Sequence, residues 1–293
     1  MSIRLDLYKT FNKVAKHKSF SKAAKELYMT QPAVSQAIMQ LEDELNIRLF
    51  TRTPRGVVLT DEGKILYEYT NSAISLINRG EEKLRASKDL SRGELKIGVG
   101  DTISRYYLIQ YLEEFHKVYN NIKLKIINRT TMELCNLIKS GEIDIAICNL
   151  PIKDNSLEIR SCKDIEDIFV GGEKYKDLVL NPMTYEDLVK YPLIFLDSRS
   201  RSRQYVEGFL LSKGVKINPE IELGSHDLLL EFAKIDLGIA CVVKEFSQDY
   251  LKNNILYEIK LKDKIPKRSI GICTLKGVSL SPSSEKFVEY LLR

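Results

Sequence analysis

From Thr60 to about Ser87 the chain carries one uninterrupted helical pattern. Ile65, Tyr69, Ala73, Leu76, Gly80 and Leu84 recur at spacings of 4, 4, 3, 4 and 4, with no proline between them. That spacing draws a single stripe on a 3.6-residue helix. Thr60, Asp61 and Glu62 open the segment with acids at the positive end of the helix dipole. At 1.5 Å per residue such a helix is roughly 40 Å long. A stripe so narrow on a helix so long needs a partner, and pairing with a second copy is favoured over docking on the chain's own body.

The helix also divides the charge. Residues 1–60 hold ten basic side chains (Arg4, Lys9, Lys13, Lys16, Lys18, Lys22, Lys25, Arg48, Arg52, Arg55) against five acidic ones (Asp6, Glu26, Glu42, Asp43, Glu44). The remainder is balanced, so the whole net charge of +5 sits in the first fifth of the 293 residues. A small basic head on a neutral body suits a polyanionic partner for the head. The length predicts two or three domains. With 44% hydrophobic and 29% charged residues, the composition excludes a disordered chain. No stretch approaches the roughly 18 apolar residues that span a bilayer. Met1 to Asp6 has no apolar signal core, so a cytoplasmic protein away from membranes is expected. The cysteines at 135, 148, 162, 241 and 273 form no Cys-x-x-Cys pair. They read as reduced, mostly buried thiols rather than a zinc site, a disulfide framework or a redox switch.

Within the head, Leu7, Phe11, Val14 and Ala15 make one apolar helical stripe. After a break at His17-Lys18-Ser19, Ser21 is expected to cap a second helix with Ala23, Ala24 and Leu27 on its inner face. Thr30 caps a third, with Pro32 in the first turn where proline costs nothing. Its buried stripe is Val34, Ile38, Leu41 and Leu45. The other side presents Gln31, Ser35, Gln36, Met39 and Gln40, with Glu42, Asp43 and Glu44 at the far end. An ordinary solvated face carries Lys and Glu. Gln and Ser instead suit base edges, because Gln pairs bidentately with adenine and hydroxyls donate or accept, while the helix N-terminus favours phosphate. The plain alternative is a polar surface helix. Phe50 to Leu59 then reads as a hairpin around Pro54-Arg55-Gly56, its tip carrying Arg52 and Arg55 toward phosphates or a minor groove.

Beyond Asp89-Leu90-Ser91-Arg92-Gly93, which reads as a hinge, short apolar strands alternate with helices in a βαβ rhythm. Strands are expected at 95–99, 122–127, 144–147, 193–196, 238–242 and near Ile270, and helices at 104–119, 132–140, 202–212, 227–235 and after Ser281-Pro282. Enzyme chemistry finds little support. Only His17, His116 and His226 are available, no Gly-x-Ser-x-Gly elbow occurs, and Gly98-x-Gly100 lacks the third glycine of a dinucleotide loop. His226 beside Ser225 reads as a polar helix start before a catalytic pair. No cofactor is called for. An architectural DNA binder would need broad, salt-steep binding, for which a +5 head is modest.

Four segments together carry a resemblance: Ser19-Phe20-Ser21-Lys22-Ala23-Ala24-Lys25-Glu26-Leu27; Thr30-Gln31-Pro32-Ala33-Val34-Ser35; Leu41-Glu42-x-Glu44-Leu45; and Leu49-Phe50-x-Arg52-x-x-Arg55-Gly56-Val57-x-Leu59-Thr60-x-x-Gly63. They resemble the N-terminal signature of LysR-type transcriptional regulators. Gly141 to Ile147 and Leu237 to Ala240 are similar, more loosely, to that family's two lobe strands. The resemblance implies an α/β multidomain fold: an N-terminal winged helix–turn–helix (1–60), a dimerising linker helix (61–88) and a two-lobed, periplasmic-binding-protein-like effector domain (89–293). Lobe 1 would span about 93–164 plus 268–293, and lobe 2 about 165–267. It implies double-stranded DNA as partner of a homodimer or homotetramer, contacted by Thr30, Gln31, Pro32, Ser35, Gln36 and Met39 on the third helix and Arg52 and Arg55 on the wing. Met39 departs from the polar residue usual there and is expected to meet a thymine methyl or to make no contact. It implies an effector between the lobes, near Gly100-Asp101-Thr102, Thr130-Thr131, Ser198 to Arg203 and Gly224-Ser225. The residues expected to hold it are Asp101, Thr102, Thr130, Thr131, Ser200, Ser202, Arg203 and Ser225. Helix starts there suit a small anionic or amphoteric metabolite, with Arg203 adding a carboxylate contact. Arg199 and Arg201 stand where relatives often have glycine, so the cleft is expected to be partly filled or unusually basic.

Overall fold

The computed structural model describes residues 3–54, 56–85 and 93–293. It forms two compact units, the first containing residues 1–85 and the second most of the chain beyond.

The first unit is built from α1 (Leu5–His17), α2 (Phe20–Leu27), α3 (Gln31–Leu45), the hairpin β1 (Phe50–Thr53) and β2 (Gly56–Leu59), and α4 (Asp61–Arg85). The apolar stripes close on one another: Phe11, Val14, Ala23, Val34, Ile38, Leu41 and Leu49 are all buried. Full burial of each large aliphatic side chain contributes about 1.5–3 kcal/mol. The small Ala23 and Ala24 let α2 approach its neighbours closely. Ser19, rather than Ser21, caps α2 by accepting from the Lys22 N–H at 3.3 Å. Lys18 ends α1 in the left-handed region at φ 50°, which leaves Ser19 as the extended residue before the next helix and Ser21 already inside it. Thr30 caps α3 as expected.

Two glycines fix the hairpin. Gly56 has φ +126°, and a Cβ there would sit 2.6 Å from the Lys18 carbonyl oxygen, which accepts the Val57 N–H. A Cβ on Gly63 would sit 2.2 Å from the Leu49 carbonyl oxygen. Glu42 is not a solvated acid of the far end. It is buried, and it accepts from the backbone N–H groups of Leu49 at 2.7 Å and Phe50 at 3.1 Å and from Arg48 at 2.8 Å. It thereby ties the end of α3 to the entry of the hairpin. Glu42→Ala is expected to cost about 2 kcal/mol of head stability, because two backbone donors lose a charged acceptor. Urea unfolding followed through the head would check this, and an unchanged midpoint would refute it.

Helix α4 has 25 residues. Leu66 and Tyr67 pack into the head core, and Thr70 is hydrogen-bonded to Asn12 of α1 at 2.7 Å. The expected seam stands on another side: Ile65, Tyr69 and Leu84 are 61%, 74% and 89% exposed. The expected end at Ser87 and residues 89–92 of the expected 89–93 hinge lie outside the described residues, while Gly93 opens a strand.

The second unit holds two five-stranded sheets. Its elements, in order, are β3 (Gly93–Val99), α5 (Asp101–Ile103), a π-helical turn (Ser104–Leu108), α6 (Ile109–Val118), β4 (Ile122–Asn128), α7 (Thr131–Lys139), β5 (Ile145–Asn149), β6 (Leu157–Ile165), β7 (Asp167–Gly171), α8 (Tyr185–Leu188), β8 (Leu193–Leu196), α9 (Arg201–Ser212), β9 (Ile221–Leu223), α10 (His226–Lys234), β10 (Ile239–Val243), α11 (Gln248–Lys252), β11 (Tyr257–Ile259), β12 (Arg268–Leu275) and α12 (Pro282–Leu291). The first sheet has the order β4-β3-β5-β12-β6 and the second β11-β7-β10-β8-β9. Strands β3, β4 and β5 are mutually parallel, as are β8, β9 and β10, which is the product of right-handed βαβ units. Each sheet is covered on both faces. Phe115 and Phe287 lie on one side of the first and Leu134 and Ile138 on the other; Val206 and Leu210 cover one side of the second and Leu229 and Leu230 the other. The chain crosses from the first sheet to the second between Ile165 and Asp167 and returns between Ile259 and Arg268.

All five cysteines are free, and four are buried. Hydrogen bonding to the neighbouring Cys135 and Cys273 thiols, with burial, pushes the Cys148 thiol well above its ordinary range. Such a neutral thiol is a poor nucleophile, as a core cysteine should be.

Candidate functional site

In the head, the polar side of α3 is presented to solvent. Thr30, Gln31, Pro32 and Gln36 are exposed, Ser35 is half-buried and Met39 is 55% exposed. On the same helix Val34 and Leu41 have no exposure at all. Gln40, also on the outer side, is committed to Glu44 at 2.9 Å. Tyr28, in the turn before α3, is 98% exposed and sits in the left-handed region at φ 55°. Its phenol is a donor beside that polar side, and the sequence did not single it out. Arg52 lies on β1 of the wing, and Arg55 falls outside the described residues. Among the exposed residues of α3 from Gln31 to Gln40 there is no charge. The side toward solvent therefore consists of uncharged hydrogen-bonding groups at a free helix N-terminus.

In the body, a cavity of about 310 Å³ opens between the two sheets. Three helical segments begin at its wall: α5 after Gly100, α7 at Thr131 and α9 after Ser200. Helix N-termini on the wall of one space favour negative charge there. Asp101, Thr102, Thr130, Thr131, Ser200 and Ser202 all line it. Thr130 is partly spoken for, since its hydroxyl donates to Glu133 at 2.6 Å in a cap of α7.

Two of the expected residues are placed elsewhere. Arg203 is buried under α9. Its guanidinium donates to Glu207 at 2.9 Å and to the Leu196 carbonyl at 2.9 Å, and it lies 2.9 Å from Glu222. It is a structural ion pair and does not reach the cavity wall. Ser225 does not line the cavity either, although its neighbour Gly224 does. His226 is no catalytic partner of Ser225. It is 2% exposed, and its Nε2 accepts the Val243 N–H at 3.1 Å.

The cavity has lining groups that the sequence did not reveal, among them Arg129, Glu133, Asn149 and Arg268. Arg268 is the centre of a buried network. It donates to Asp167 from Nε at 2.5 Å and from Nη2 at 2.8 Å, to Asn149 Oδ1 at 2.6 Å, and to the Ser202 hydroxyl. Asn149 ends a strand of the first sheet, whereas Asp167 and Ser202 belong to the second lobe. The network thus joins both lobes at the floor of the cavity. Arg201 adds a link, donating to the Pro151 carbonyl at 3.0 Å, and Arg199 donates to Asp197 at 3.2 Å. Arg129, Arg199, Arg201 and Arg268 on this wall stand with three acids, Asp101, Glu133 and Asp197. On α5's continuation, Tyr106 donates to Asp227 of α10, and its ring stacks on Phe246 at 5.3 Å. Among the described residues no group of three His, Cys, Asp or Glu side chains is placed to hold a metal ion, and no helix is long and apolar enough to cross a membrane.

A helix–turn–helix head with a wing and an outward polar helix, joined in one chain to a two-lobed body with a ligand-sized cleft, defines a ligand-responsive transcription regulator. The chain belongs to the LysR family of bacterial regulators: residues 5–64 match the bacterial regulatory helix-turn-helix protein of the lysR family, and residues 88–293 match the LysR substrate binding domain. Among similar proteins, a probable RuBisCO transcriptional regulator of Emiliania huxleyi is 30% identical over 274 residues, spanning 92% of this chain and 87% of that protein. The RuBisCO operon transcriptional regulator of Allochromatium vinosum is 25% identical over 292 residues, 100% of this chain and 96% of that one. Full-length OxyR from Pseudomonas aeruginosa shares the fold with a TM-score of 0.75 at 20% identity, covering 100% of this chain and 94% of that chain. CbnR in complex with its target DNA gives a TM-score of 0.65 at 18% identity, covering 99% of each. The family and these relatives regulate transcription and are not enzymes.

Proposed function

We propose that the first 60 residues read a defined DNA site, that residues 61–88 pair two copies, and that residues 89–293 sense a metabolite in the cytoplasm. The observation that carries this reading is the division of α3: its aliphatic side holds the head together, while Gln31, Gln36 and Met39 face outward without a charge among them. That face fits the major groove, with Thr30, Gln31, Pro32, Ser35, Gln36 and Met39 toward bases and the adjoining phosphates, and with Arg52 and Arg55 of the wing toward the backbone or minor groove. The exposed stripe of Ile65, Tyr69 and Leu84 on α4 supports self-pairing, and two paired heads suit two half-sites. Homodimers or homotetramers follow.

The cleft suits a small amphoteric metabolite better than a simple anion. Helix N-termini and Arg129, Arg199 and Arg201 offer sites for a carboxylate or phosphate, and Asp101 and Glu133 offer sites for an amine. Asp101, Thr102, Thr131, Ser200 and Ser202 are the proposed contacts. A ligand that binds the closed lobes more tightly than the open ones shifts the balance between them, and through the paired helices the stance of the heads on DNA.

Selection of random DNA by the purified protein, followed by sequencing, should return a roughly two-fold symmetric site. Ser35→Ala with Gln36→Ala should weaken binding to that site by about tenfold or more while leaving binding to unrelated DNA nearly unchanged. Equal loss on both DNAs would show that α3 does not read bases.

A further inference from the structure

A second cavity lies within lobe 2. Its volume is about 670 Å³, twice that of the inter-lobe cleft, and the two share no lining residue. Ile168, Phe169, Leu256, Ile259 and Ile265 form its floor, and all five are buried. Val179, Leu251, Tyr257 and Leu261, all half-buried, line the part reached from solvent at the outer strand of the second sheet, β11. The rim is basic. Lys244, Lys252, Lys260 and Lys264 line it together with three carboxylates, Glu166, Glu258 and Asp167, the last buried against Arg268. Lys244 pairs with Glu258 at 2.8 Å, and Lys264 reaches Glu166 only at 3.9 Å. Lys252 and Lys260 are exposed and make no ion pair among the described residues.

We propose that this cavity binds an amphipathic organic anion, with an aliphatic or aromatic body on the apolar floor and a carboxylate held by Lys252 and Lys260. Size and charge both point this way. A cavity of several hundred Å³ is the scale of small-molecule sites. An apolar body removes from water the remaining surface of Val179, Leu251, Tyr257 and Leu261. The anion makes charge-assisted hydrogen bonds with these two ammonium groups. A purely polar ion would leave the floor wet, and a neutral apolar molecule would leave the lysines unpaired. The site is thus a second input to the regulator, chemically unlike the polar cleft, and it does not depend on how the cleft is read.

The test uses the full-length protein with anilinonaphthalene sulfonate as a fluorescent amphipathic anion and octanoate as its competitor. Saturable dye binding that octanoate displaces is expected. Octanamide, of the same shape without the charge, should compete about tenfold less well, and Lys252→Gln with Lys260→Gln should weaken octanoate by a similar factor. Both lysines are exposed, so the variant retains the fold. Ser200→Ala in the cleft should leave octanoate binding unchanged. Absence of saturable binding, octanamide competing as well as octanoate, octanoate binding indifferent to the two lysines, or loss of binding in the Ser200 variant would each overturn the assignment.

Discussion

Arg268→Met is expected to destabilise the body by about 3–5 kcal/mol, the range for removing one partner of a buried ion pair. The side chains of Arg268 and Asp167 are 1% and 2% exposed, so neither charge has access to water when the other is removed. The forked contact from Nε and Nη2 satisfies both carboxylate oxygens, and Nη1 takes up Asn149. Methionine preserves much of the volume and, among the described residues, leaves the Asp167 carboxylate with the Ser202 hydroxyl alone, at 3.5 Å. The outcome to measure is the urea midpoint, followed by a fluorophore on the body because a multidomain chain need not unfold in one step. Arg268→Met combined with Asp167→Asn should recover a large part of the loss, since the orphaned charge is gone. Strict additivity of the two single effects would show that the pair is not coupled. The same substitution should blunt any ligand response of the cleft, because this network is where Asn149 of one lobe meets Asp167 and Ser202 of the other.

How much of this was readable beforehand depended on how local the determining interactions are. The α3 helix was legible from its own residues: a capping threonine, a proline in the first turn and aliphatics at helical spacing. The placement of Ser19 as the cap of α2 depended on the left-handed turn at Lys18, which a neighbouring hydroxyl at Ser21 obscured. Strand β6 escaped because Leu157 to Ile165 carries charges on an edge of its sheet, where no alternation of buried residues is imposed. The placement of Arg203 has a local cause, since Glu207 stands one helical turn away and completes an i, i+4 ion pair. Arg268 has none. Its partner Asp167 is 101 residues distant in the chain and is brought near only by the two crossings between sheets. Six of the eight residues expected around the cleft do line it, because helix starts after parallel strands can be located by pattern. The floor of the cleft could not be located, because it is made where distant strands cross.

His226 carries the second large effect, this time through pH. It is packed edge-on against Tyr106 at 5.4 Å and Phe246 at 6.2 Å, with Asp227 next in sequence and the charge of Arg268 also acting on it. Nε2 accepts from Val243, so the neutral ring keeps its proton on Nδ1, which has no hydrogen-bond partner among the described residues. Burial drives the imidazole down from 6.5 to about 4; Arg268 pushes the same way, and Asp227 opposes it. Between those two values the unfolded chain takes up a proton that the folded chain refuses. Stability is therefore fully present above pH 6.5 and is lost as pH falls toward 4. The loss approaches about 3 kcal/mol at the acid end. Carboxylates titrate over part of the same range, so the quantity to follow is the difference between the native chain and His226→Gln, whose amide oxygen can still accept from Val243. That difference in urea stability should shift against the native chain by about 3 kcal/mol between neutral pH and the acid limit. If it stays flat across the range, the ring is either solvated or already charged, and the packing of Tyr106 and Phe246 around a neutral imidazole is wrong.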